Sequence, residues 1–148
     1  NGALTIGTLD GANVEIRDLV GADNFFLFGM TADEVVSLRK NPHHQADAIA
    51  RSARLSNAIK LIESGVFSHG DKTIYQDLTE NLRTHDYFTV CADFDSYWET
   101  QRRVDSAWHD ADHWTHMAAL NTARSGWFSS DRTIASYMND IWSIKPMI

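Results

Sequence analysis

Leu4 to Thr8 alternates apolar with small polar residues, the period of a short strand with one covered face. Asp10-Gly11 is a turn signal. Taken alone, the stretch to Ile16 fits two shapes. One is a hairpin with a tight Asp-Gly turn. The other is a strand, a tight loop and a helix from about Asn13 to a stop at Gly21. Phe25-Phe26-Leu27-Phe28 is apolar throughout, bounded by Asn24 and Gly29, and suits a strand covered on both faces in a parallel sheet.

Helical spacing dominates from there. Thr31 and Glu34 form a capping box, with Val35 and Leu38 on the inner side of the helix they start. Asn41-Pro42 ends it, because the residue before proline avoids the helical region. Ala48, Ser52, Leu55, Ile59 and Ile62 recur at steps of four and three, predicting one helix from about Gln45 to Ser64, stopped by Gly65. Asp71 is placed to cap a further helix carrying Ile74, Leu78 and Leu82. Tyr87 to Cys91 is β-branched and aromatic and reads as a third strand. Phe94, Tyr97, Trp98, Gln101, Val104 and Trp108 share one side of a helix from about Phe94 to Trp108. Asp110 or Asp112 then starts another, with Trp114, Met117, Ala118 and Leu120, stopped near Gly126. Ser129 or Ser130 caps the last helix, which carries Ile134, Tyr137, Ile141 and Trp142, with Pro146 beyond it. Strands alternating with helices predict an α/β fold built of βα units on a parallel sheet, with few strands and mostly helical content.

Hydrophobic residues make up 43% of the 148, enough for the core of one domain or of a large piece of one. The net charge of −7 and the pI near 5.3 argue against nucleic acid or an anionic membrane as partner, since both require a basic footprint. The one cysteine, Cys91, forms no internal disulfide and favours a reducing, cytosolic setting. No apolar run reaches the roughly 20 residues that span a bilayer. No basic-then-apolar leader opens the chain, and the missing initial Met predicts truncation or processing.

Candidate chemistry is sparse. His109, His113 and His116, with Asp105 and Asp112 nearby, have metal-ligand spacing on one continuous helix. Asp110-Ala111-Asp112 reads as a helix break, however, which leaves the histidines as a solvated face. His43-His44 reads as an exposed loop. Gly7-Thr8-Leu9-Asp10-Gly11 fits either an anion-cradling loop at a helix start or a plain turn, and it is neither a dinucleotide fingerprint nor a P-loop. Cys91 reads as a buried structural thiol, and Ser129 and Ser130 as caps rather than nucleophiles. The tryptophans at 98, 108, 114, 127 and 142 fit core packing better than a sugar-stacking surface, with Trp127 expected to be the exposed one.

The run Asn1-Gly2-Ala3-Leu4-Thr5-Ile6-Gly7-Thr8-Leu9-Asp10-Gly11-Ala12-Asn13-Val14-Glu15-Ile16 closely resembles a stretch of the α-glucan phosphorylase family. So do Asn24 to Met30, Ser64 to Ser68, Phe88 to Tyr97, Gln101 to Val104, Trp114-Thr115 and Ser125 to Ile134, in order along the chain. The resemblance implies the strand–loop–helix alternative for the opening. It implies the C-terminal part of a Rossmann-like domain of GT-B type over residues 1–148, with final helices running back towards a missing N-terminal domain. It also implies a pyridoxal-phosphate-dependent glycosyltransferase that splits α-1,4-glucan with phosphate and releases glucose 1-phosphate. The cofactor's phosphate would act as proton donor and acceptor, and the parent would be a cytoplasmic homodimer. In the family the cofactor lysine stands four positions before the residue matching Asn1, outside this chain. Lys40, Lys60, Lys72 and Lys145 lie outside that motif. No catalytic, cofactor-binding or metal-ligating role is therefore assigned to any residue, and the isolated chain is expected to be inactive. The alternatives are a non-catalytic helical interaction module and a metal-binding helical protein.

Overall fold

The structure is a computed structural model that describes residues 2–145. The expectations placed on Asn1 and Pro146 lie outside the described residues. β1 (Ile6–Gly7) is followed by α1 (Ala12–Val20), a 3-10 turn (Ala22–Asn24) and β2 (Phe26–Leu27). The two strands pair in parallel, Ile6 opposite Phe26, so the opening is a βαβ unit and not a hairpin. The rest is helical: α2 (Ala32–Leu38), α3 (His44–Arg51), α4 (Ala53–Glu63), α5 (Gln76–Thr84), α6 (Val90–Trp108), α7 (Ala111–Arg124) and α8 (Ser130–Ser136). α8 runs on into a π-helical turn, Tyr137–Trp142. The α/β expectation holds in this form, predominantly helical with a small parallel sheet.

Several local signals act as their chemistry dictates. The Thr31 hydroxyl accepts from the Glu34 N–H, and the Glu34 carboxylate takes the Thr31 N–H at 2.7 Å, which pulls the Glu34 carboxyl below its ordinary range. Gly21 and Gly65 follow the ends of α1 and α4 closely. The Asp110 carboxylate accepts from the His113 N–H and starts α7.

Four expectations are corrected. The helix expected over 45–64 is two helices, because Ser52 is extended (φ −108°, ψ 101°) and serves as the cap of both. Its hydroxyl accepts from the Leu55 N–H at 3.1 Å and donates to the Asp95 carboxylate at 2.9 Å. The stripe residue at the break thus makes a hydrogen-bonded bend facing α6. The third strand, Tyr87 to Cys91, is absent. Asp86 and Thr89 have positive φ, and the Asp86 carboxylate accepts from the N–H groups of Val90 and Cys91, so α6 begins at Val90. Asp71 caps no helix, since its carboxylate is taken by Thr73 in a local turn and α5 starts at Gln76. Ser129 precedes α8, but its hydroxyl makes no capping bond.

The helical core joins Ala48, Leu55, Ile59 and Cys91, with Ile49, Leu82 and Phe94 against it. The remaining buried apolar residues are Val20, Phe25, Phe26 and Met117, on the α1–β2 side and on α7. Side chains from α6 and α7 tie that side down. The Thr100 hydroxyl donates to the Leu27 carbonyl, the Asn121 amide to the Asn24 carbonyl, and the Arg124 guanidinium to the Leu19 and Val20 carbonyls at the end of α1. No helix among the described residues is long and apolar enough to cross a membrane.

Candidate functional site

Ligands of open α/β folds collect outside the carboxyl ends of parallel strands. Here that edge is built from Thr8, Phe28, Gly29 and Met30, with α6 laid against it. The Asn13 side chain reaches back from α1 and donates to the Thr8 carbonyl at 3.0 Å. A Cβ on Gly7 would stand 2.5 Å from the Asn13 amide nitrogen, so a side chain there would displace the Asn13 amide from this position. Gly29 has φ 78°, and a Cβ there would meet the Thr8 methyl at 2.8 Å and the Asp93 carboxyl carbon at 3.0 Å. The Gly29 N–H donates to the Ser96 hydroxyl and the Met30 N–H to the Asp93 carboxylate, both at 3.0 Å. Burial pushes the Asp93 carboxyl up. The Met30 N–H pulls it back, and the Asp86 and Glu34 carboxylates push it up further.

Beside this junction lies a hollow of about 320 Å³, walled by Phe28, Phe88, Phe94 and Tyr97, with Thr8 and Asp93 at its polar side. Phe28 and Tyr97 meet edge to face at 5.1 Å. Phe88 is 80% exposed. The site offers apolar walls, one carboxylate and backbone turns. It contains no lysine: Lys40, Lys60, Lys72 and Lys145 are all exposed and none lines the hollow. The residues present therefore do not fit the attachment of pyridoxal phosphate.

The residues singled out from sequence fall elsewhere. His109 ends α6, while His113 and His116 lie on α7 beyond the Asp110 cap. Among the described residues no group of His, Cys, Asp or Glu is arranged to hold a metal. His44 is no loop residue; it begins α3 and is buried. Cys91 is buried, with its thiol against the Leu82 carbonyl, and burial chiefly, with the Asp86 carboxylate, pushes its pKa up to about 12. It is a structural thiol. Trp108 is 63% exposed against 47% for Trp127, so the expected order is reversed. Trp108 lies at the end of α6 with its ring edge-on to Trp114 at 5.0 Å. Trp98 lies under the guanidinium groups of Arg54 and Arg102.

Sequence reasoning missed the junction of Gly29, Asp93 and Ser96. Its only local signal is a glycine directly after an apolar strand.

The outer edge of β1 is open. The Thr5 and Gly7 carbonyls accept from the N–H groups of Phe26, in β2, and of Phe28 just after it. Backbone groups alternate direction along a strand, so those of Ile6 are directed away from β2, and among the described residues they meet no partner. A parallel sheet of two strands is small for an α/β fold, and its β1 edge is uncovered among the described residues. The model of the carbohydrate phosphorylase family matches residues 1–144, and the chain belongs to that family. It is 49% identical over its whole length to a glycogen phosphorylase of Synechocystis sp., of which it covers 17%. It is 45% identical over 99% of its length to a glycogen phosphorylase of Pasteurella multocida, covering 18%. It is 48% identical over 99% of its length to the chloroplastic/amyloplastic α-1,4 glucan phosphorylase L isozyme of Vicia faba, covering 15%. The chain thus spans about a sixth of the length of the relatives it matches.

Proposed function

We propose that this chain is the C-terminal structural portion of an α-glucan phosphorylase, a pyridoxal-phosphate-dependent glycosyltransferase that phosphorolyses α-1,4-glucan to glucose 1-phosphate. The observation that carries this is the open β1 edge in a chain matched by the family model over residues 1–144. The chain supplies two strands of the parallel sheet and the helices that brace their carboxyl edge. It brings no acid–base pair, nucleophile or cofactor lysine of its own. In the intact protein β1 pairs with a strand from the upstream polypeptide, in a Rossmann-like domain of GT-B type. The α8 end packs on the N-terminal domain. That packing is supported by Ile134, Tyr137, Ile141, Trp142 and Ile144, all of which are exposed here. The parent is a cytoplasmic homodimer carrying pyridoxal phosphate on a lysine four residues before Asn1.

The test is the coding sequence upstream of Asn1 together with two proteins made from it. The full-length product releases glucose 1-phosphate from glucan and inorganic phosphate, whereas residues 1–148 alone release none and form no stoichiometric Schiff base. An upstream frame without that lysine, or phosphorolysis by the isolated chain, refutes the reading.

A further inference from the structure

We propose that Asp93 is a positioning residue for this phosphorolysis: held on α6, it sets the turn after β2 and, through Gly29 and Thr8, the loop that follows β1. The inference rests on the function proposed above.

Three chain segments meet at Gly29 with no space between them. The Thr8 methyl stands on one side of the Cβ direction and the Asp93 carboxyl on the other, at 2.8 and 3.0 Å. The Met30 N–H, the first backbone donor beyond that glycine, is held by the Asp93 carboxylate, and the Gly29 N–H is held by Ser96 one turn along α6. The contact continues through Thr8, whose carbonyl takes the Asn13 amide, to the start of α1.

The helix that carries Asp93 is itself firmly placed. Its first N–H groups are bound by Asp86, 2% exposed, and Cys91 anchors it in the helical core. A displacement of the Asp93 side chain is therefore transmitted to the strand ends, since close-packed atoms do not absorb it locally.

The location gives this packing its functional meaning. Both loops lie at the carboxyl edge, where α/β folds hold their ligands, and Asp93 itself faces the 320 Å³ hollow. None of the salt bridges among the described residues includes Asp93. Its role is carried by the hydrogen bond from Met30 and by shape.

The full-length enzyme tests this with four variants. Asp93→Ala lowers kcat by about tenfold or more, as expected of a displaced site, and leaves KM for glucan within about twofold. Asp93→Asn, whose amide oxygen still accepts from Met30, restores kcat to within about threefold of the unmodified enzyme. Gly29→Ala, which keeps Asp93 but forces a methyl between it and Thr8, reproduces the Asp93→Ala loss. Asp95→Ala, on the same helix but facing Ser52 and Arg54, keeps kcat. Unchanged kcat in Asp93→Ala, or an Asp93→Asn variant as impaired as Asp93→Ala, overturns the proposal.

If the unmodified full-length protein shows no phosphorolysis, the reading of its activity has failed. The positioning claim is then decided by amide hydrogen exchange. Asp93→Ala accelerates exchange at Met30 and also at Asn13 and Val14, across the Gly29–Thr8 contact. Acceleration confined to Met30 overturns it.

Discussion

Removing the Ser52 hydroxyl tests whether the bend between α3 and α4 is held by hydrogen bonds or only by packing. Ser52 is 7% exposed, and its hydroxyl makes two bonds at once. Ser52→Ala deprives the Leu55 N–H of its partner. That N–H is buried, which puts the loss in the upper part of the range for a helix cap, about 1.5 kcal/mol. The second bond, to Asp95, contributes less. The Asp95 side chain is 48% exposed and keeps Arg54 at 3.2 Å, so water replaces the lost donor and about 0.5 kcal/mol remains. The sum is about 2 kcal/mol. Urea denaturation followed by circular dichroism should show a lower midpoint at unchanged slope. A double-mutant cycle with Asp95→Ala should return a coupling of about 0.5 kcal/mol. A total loss below about 0.5 kcal/mol would mean that the bend forms without its cap, and the reasoning would be refuted.

Four further outcomes follow from the structure. Asp93→Asn raises stability at neutral pH. Burial holds the Asp93 carboxyl above its ordinary pKa, so its ionised form costs folding energy that is absent below the unfolded pKa and grows as pH rises through the folded one. The advantage of Asn should shrink as melts are taken to lower pH, and an advantage independent of pH counts against it. Glu63, lowered chiefly by its hydrogen bond from Arg83, behaves oppositely, and its contribution is lost as pH falls through its folded pKa. Cys91 should react with iodoacetamide at neutral pH only in denaturant, since its thiol is buried and its pKa is pushed up to about 12; rapid native labelling, read by mass spectrometry, would contradict that placement. The isolated chain should self-associate in ultracentrifugation, because the β1 edge and the apolar residues of the α8 end are uncovered; a clean monomer with a cooperative melt would contradict it.

Much of this architecture was legible residue by residue. The capping box at Thr31, the stops at Gly21 and Gly65 and the cap at Asp110 are local signals, and each operates within a few residues of itself. The misreadings share one cause. Ser52 sits on the helical stripe, and nothing adjacent in sequence announces that Asp95, 43 residues away, will take its hydroxyl. Tyr87 to Cys91 has strand composition, but the Asp86 carboxylate binds two N–H groups just beyond it and starts a helix instead. The Gly29 junction has the same character, since its partners Thr8 and Asp93 lie on separate elements.

By itself the sequence determined family membership, the order of nearly all helices and, through the family resemblance, a strand–loop–helix opening in place of a hairpin. These are set by neighbouring residues or by motif runs read in order. Tertiary structure alone decided where α3 and α4 bend, which side chains bind the strand ends, and that β1 is left with an open edge. Those features depend on groups distant in sequence meeting within about 3 Å, and a hydrophobic pattern carries no record of which distant groups will meet.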